Sequence, residues 1–178
     1  MTLVPLTSYP PAIVEVLLPE RLPPLGPGQP QEAMRPRLEA LRLPDACLAG
    51  LWLYHDFLDK AHRLAQRLPT ATGSFWHAIM HRREGDYDNA KYWFRRVGRH
   101  PVYDPLHRIA ADLASADRAP QARFLREQTQ WDPFRFVDLC HSCVRGQAAC
   151  EDLCRQIQWA EWRLLFDHAW HEAGAAPG

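Results

Sequence analysis

Proline is the residue that most restricts this chain, and it is concentrated at one end. Ten of the 16 prolines lie at or before Pro44, at positions 5, 10, 11, 19, 23, 24, 27, 30, 36 and 44. Proline lacks a backbone N–H and clashes with the preceding turn, so a segment this rich in it does not form a long regular helix. The same segment carries Leu3, Val4, Leu6, Ile13, Val14, Val16, Leu17 and Leu18, too many apolar residues for a disordered tail. The expectation is an extended arm over residues 1–43, laid partly on the surface of the domain that follows. Gly26-Pro27-Gly28-Gln29-Pro30 would be its flexible joint. A passive wrap over apolar surface, or an exchange arm in a homodimer, would use such a segment.

From Pro44 onward the periodicity is helical. Asp45 can cap a first helix running to about Leu68, with an inner stripe of Leu48, Leu51, His55, Leu58, His62 and Ala65. Pro69 and Gly73 close it, and Ser74 is placed to cap a second helix from Phe75 to about Glu84. Gly85-Asp86 makes a turn, with Asp86 capping a third helix, Tyr87 to Val97, and Gly98 just past its end. Asp104-Pro105 and Asp132-Pro133 each read as an N-cap followed by Pro at the first helical position, opening helices to about Ala114 and Arg145. A last helix runs from about Ala148 to His171, and residues 121–128 fit a short helix. No segment alternates with period two. The fold class expected is therefore all-α, an irregular bundle of about six helices over residues 44–178, preceded by the Pro-rich arm.

Length and charge narrow the function. A chain of 178 residues suits one domain with a sizeable core. Its 21 basic and 21 acidic residues cancel, which argues against a nucleic-acid or anionic-membrane binder. No apolar run approaches the ~20 residues of a membrane span. The N-terminus has no basic region ahead of its apolar residues, and Pro5, Pro10 and Pro11 interrupt them, so a cytoplasmic protein is expected. Five cysteines, an odd number, fit a reducing compartment.

The segment from Phe75 to Val97 resembles one tetratricopeptide helix pair. Gly85-Asp86-Tyr87, Ala90 and Phe94 match that motif's turn and second-helix core positions, and Ala78 matches its small first-helix residue. A shift of ~34 residues in either direction finds no second copy, and one unit makes no solenoid. Trp76 to Tyr103 also looks like a group of uncharacterised, mainly bacterial proteins that share a W-H-x-I-M-H-R-R-E-x-D-x-x-N-x-K-Y-W-F-R-R-V-G core. That likeness implies no particular chemistry. The motif's departure from the tetratricopeptide pattern lies in His77 and His81, which stand where large apolar residues face inward.

Two helices thus present ionisable residues at spacings that share a face. A step of four turns the helix by ~40° and a step of seven by ~20°. His55, Asp59 and His62 would share one face of the first helix, and His77, His81 and Glu84 one face of the second. A short connection makes the two antiparallel. A divalent transition metal held by His55, Asp59, His62, His77 and His81 is one expectation, because imidazole pairs at i and i+4 converge on one ion. Catalysis by His77, His81 and Glu84 as acid or base is the corresponding enzyme reading. Around it, Arg82, Arg83, Asn89, Lys91, Trp93 and Arg96 could hold a small anionic or carbonyl ligand, through guanidinium forks, an amide and a stacking wall. Buried histidines bonded to carboxylates or backbone, with a solvated salt-bridged surface, would leave the same pattern. Cys140, Cys143, Cys150 and Cys154 form a rival zinc set whose helical spacing favours plain core residues. The alternative class is a non-enzymatic tetratricopeptide-like interaction module or a homodimer.

Overall fold

The computed structural model describes residues 3–117 and 119–174. Among them there are ten α-helices, three short 3-10 turns and no strand. The helices are α1 (Pro11–Leu17), α2 (Arg35–Ala40), α3 (Asp45–Tyr54), α4 (Leu58–Ala65), α5 (Ala71–Glu84), α6 (Tyr87–Val97), α7 (Tyr103–Ala114), α8 (Phe124–Glu127), α9 (Pro133–Val144) and α10 (Glu151–Glu172). The all-α expectation holds, and the short helix expected within residues 121–128 forms as α8; the count of six is further exceeded for two physical reasons.

The first is a break in the expected first helix. Asp56 adopts a left-handed backbone, φ 65. Its N–H bonds to the Leu53 carbonyl at 3.2 Å, and the Phe57 N–H to the Trp52 carbonyl at 3.0 Å. This is the paired bonding of a Schellman closure, built on an aspartate where glycine is usual. The carboxylate holds the turn in place, because it is buried and paired with Arg21 at 2.6 Å and Arg83 at 2.5 Å. α4 therefore starts afresh at Leu58 in a new direction.

The second reason is the N-terminal segment, which is not an extended arm on the surface. Its prolines start helices: Pro11 opens α1, and Pro36 lies in the first turn of α2. There the missing N–H costs nothing, since first-turn amides have no intrahelical partner. Leu6, Tyr9, Ile13, Val16, Leu17, Leu25 and Leu38 belong to the buried core. Tyr9 packs edge-on against Phe166 and Trp170 of α10 and donates its hydroxyl to Asp167 at 3.1 Å. The expected flexible joint is gripped, with the Gly26 and Pro27 carbonyls accepting from Arg83 at 3.1 and 3.2 Å. The Leu22, Pro23 and Pro24 carbonyls accept from Arg155 and Gln158. A proline-rich strip offers carbonyls and few donors, so side chains from α5 and α10 satisfy it.

α5 lies at the centre, with residues 72–83 all buried. It begins at Ala71, ahead of the expected Ser74 cap, because Thr70 is extended and its hydroxyl accepts from the Gly73 N–H at 3.0 Å. α6 and α9 keep the expected aspartate caps, Asp86 accepting from Asn89 and Asp132 from Phe134 and Arg135. α3 comes close to α5 at Gly50, where an added Cβ would lie 2.8 Å from the Trp76 ring. The Trp162 indole of α10 donates to the Gly50 carbonyl at 2.8 Å, so three helices meet there. A run of stacked rings, Tyr54, Trp159, Trp162 and Phe166, fills the space between α3 and α10. Within the described residues, no helix is long and apolar enough to cross a membrane.

Candidate metal centre

α5 and α4 bring three imidazoles together. His77 and His81 are one turn plus one residue apart on α5, and their rings stack with centroids 4.7 Å apart. His62, on the facing side of α4, sits 4.6 Å from the His77 ring and 5.1 Å from the His81 ring. One nitrogen from each of the three lies within 4.8 Å of the others. A tetrahedral ion with bonds of about 2.0–2.1 Å holds its nitrogens roughly 3.3 Å apart. Small side-chain rotations would close that difference. His77 and His81 are buried, whereas His62 is half-buried and forms the side nearer solvent.

The electrostatics favour neutral imidazoles at His77 and His81. Neither nitrogen of His77 has a hydrogen-bond partner among the described residues, although the side chain is 2% exposed. Burial, then the neighbouring His81 and His62, push its pKa down to about 3. His81 is likewise lowered, by burial first and then by His62. Glu84 is raised by its own burial, which outweighs the attraction of His62. Neutral imidazoles are the ligating form.

Around the trio stands a set of orienting groups. The Glu84 carboxylate is 3.2 Å from Nδ1 of His81, off the line of a hydrogen bond, and Asp86 is 3.9 Å from the same atom. The Asn89 amide is 3.2 Å from Nε2 of His81. If Nδ1 of His81 turned to an ion, Asn89 would hold its Nε2. Trp93 stacks on His77 at 3.9 Å and walls the site, and Arg96 lies over the Trp93 ring at 5.3 Å. From the sequence, Asp86 reads as a helix cap and as a counter-charge to the hairpin's arginines. Its position two residues beyond Glu84, across a Gly turn, is the signal that would have placed it here.

Several expected members stand elsewhere. His55 is carried away by the break at Asp56: its Nε2 is 2.7 Å from the Val16 carbonyl and its Nδ1 3.0 Å from Gln31. It ties the N-terminal segment to α3 and is not part of the trio. Asp59 is exposed and lines a separate surface cavity with Asp56, Lys60 and Arg63. Arg82 and Arg83 do not rim a ligand site. Arg82 is fully buried and forks onto Glu161 of α10, while Arg83 is consumed by Asp56 and the carbonyls of Gly26, Pro27 and Leu53. Lys91 pairs with Asp138 of α9 at 2.5 Å. The cysteines form a second cluster, at the turn between α9 and α10.

No family model, curated protein or solved structure matches this chain.

Proposed function

We propose that the protein binds one divalent transition-metal ion through His62, His77 and His81, and that this centre acts on a small anionic or carbonyl ligand. The observation that carries the reading is His77: a buried ring with two unpartnered nitrogens, facing two further imidazoles. Such a ring is costly in an empty core and is explained by an occupant. Three nitrogen ligands with a side open to solvent are the arrangement of catalytic zinc sites, in which the ion polarises a bound water or carbonyl. Glu84, beside His81 and with a pKa raised by burial, would take or give a proton. Trp93 would wall the ligand and Arg96 would supply the cationic rim.

The burial of α5 weighs against the tetratricopeptide-like docking role. A docking groove of that kind needs a free face on the first helix of the pair, and residues 72–83 of α5 are all buried by neighbouring elements.

Calorimetric titration of the reduced, metal-free chain with zinc tests the proposal. The expected result is one equivalent bound at this centre, lost in His77→Ala/His81→Ala. A titration in which that double variant binds as much zinc as the parent, with equal affinity, would overturn it.

A further inference from the structure

The thiol cluster is a second, independent site. Cys143, near the end of α9, has its Sγ 3.6 Å from that of Cys150 and 3.7 Å from that of Cys154. All three sulfurs lie within 4.8 Å of one another. Cys140, one turn earlier on α9, is also buried and lies beside Cys154, outside the set of three mutually close sulfurs. None of the four is in a disulfide.

The turn between the helices makes this meeting possible. Gly146 takes a left-handed φ of 69. Its N–H bonds to the Cys143 carbonyl at 2.9 Å, and the Gln147 N–H to the Ser142 carbonyl at 2.8 Å. This closes α9 and reverses the chain within a few residues. Cys150 then caps α10, and Cys154 follows one turn later. The sequence spacing alone disguised this, because Cys-x2-Cys and Cys-x3-Cys both look like core faces of helices.

We propose that Cys143, Cys150 and Cys154, with Cys140 as the fourth ligand, bind one zinc ion that pins the α9–α10 turn. Tetrahedral zinc with bonds of about 2.3 Å to sulfur holds its sulfurs roughly 3.8 Å apart. The two closest sulfur pairs already have that separation, whereas a disulfide would require about 2.05 Å. The site is closed and buried, as structural zinc sites are. Each thiol gives up its proton on binding, and the proton goes to solvent. The resulting negative charge faces two compensating features. One is the N-terminus of the 22-residue α10, where Cys150 sits. The other is the Arg82 guanidinium, the cation close to Cys140 and Cys154.

Cobalt substitution tests the proposal on the full chain. Reduced, metal-free protein titrated with Co²⁺ is expected to develop sulfur-to-cobalt charge-transfer bands and the intense visible absorption of a tetrahedral thiolate site. The bands should vanish on addition of zinc, persist in His62→Ala/His77→Ala/His81→Ala, where they should saturate at one equivalent, and disappear in Cys143→Ser/Cys150→Ser. Absence of thiolate bands in the parent chain would overturn the proposal without reference to any variant. So would bands that survive in the serine variant, or a Cys143–Cys150 disulfide in freshly isolated, zinc-free protein.

Discussion

At the scale of single residues, His77 separates a metal ligand from a core histidine. Its two bare nitrogens are a desolvation cost with no return in the metal-free chain. His77→Phe is therefore expected to leave the metal-free protein as stable as the parent, or more stable by about 1–2 kcal/mol. In a Cys143→Ser/Cys150→Ser background, where only the histidine cluster can respond, the same substitution should abolish the rise in Tm that zinc gives. Thermal unfolding with and without zinc measures both, and a zinc-induced rise that survives His77→Phe in that background would contradict the assignment. Asn89→Ala, which removes a group orienting His81, should weaken zinc binding by roughly 10-fold or more, read by competition with a chelating dye. The pairing of His77 with His81 was legible in the sequence, because i and i+4 on a helix share a face. His62 was legible for the same reason. Arg82 and Arg83 were not: adjacent charges on a hairpin read as solvated, and only the packing of α10 and of the N-terminal segment shows them buried.

At the scale of elements, the decisive feature is the break between α3 and α4. It separates His55 from His62, and so decides which histidines can meet. A helix stop is easy to read when Gly or Pro marks it, as at Gly85, Gly98 and Gly146. Here the left-handed residue is Asp56, and what holds it is an ion pair to Arg21 and Arg83, far away in sequence. No local signal encodes that. Asp56→Ala leaves the Arg83 guanidinium buried without its carboxylate and should cost about 3–5 kcal/mol in chemical denaturation. Lys91→Ala, at a partly exposed pair with Asp138, should cost less than about 1 kcal/mol in the same measurement. Similar losses for the two variants would contradict the role given to Asp56.

At the scale of the whole molecule, the N-terminal segment completes the core. The prolines correctly excluded a long helix, but they also allowed short helices begun at Pro11 and near Pro36, and a carbonyl-rich strip that Arg83, Arg155 and Gln158 grip. Composition could not show which long-range side chains would satisfy that strip. Stability of the whole should also depend on acid. His100 is buried, accepts from the Val102 N–H, and faces the His168 ring at 4.7 Å as well as Phe75 and Tyr103. Burial, and then His168, lower its pKa from 6.5 to about 4. Between those values the unfolded chain takes up a proton that the folded imidazole refuses, so stability falls as the pH drops through that window. His100→Asn keeps an acceptor for the Val102 N–H and removes the titration. It should flatten the fall in Tm across the window, and an unchanged slope would count against His100 as its source.

The central claim, a metal held by three histidines from α4 and α5, is tested most directly by ¹⁵N NMR of the histidine rings during zinc titration. The ring nitrogens of His62, His77 and His81 are expected to shift together and to saturate within the two zinc equivalents that the histidine and cysteine clusters take up, while those of His55 and His100 stay in place. Rings of the trio that do not respond while zinc binds elsewhere on the chain would contradict it.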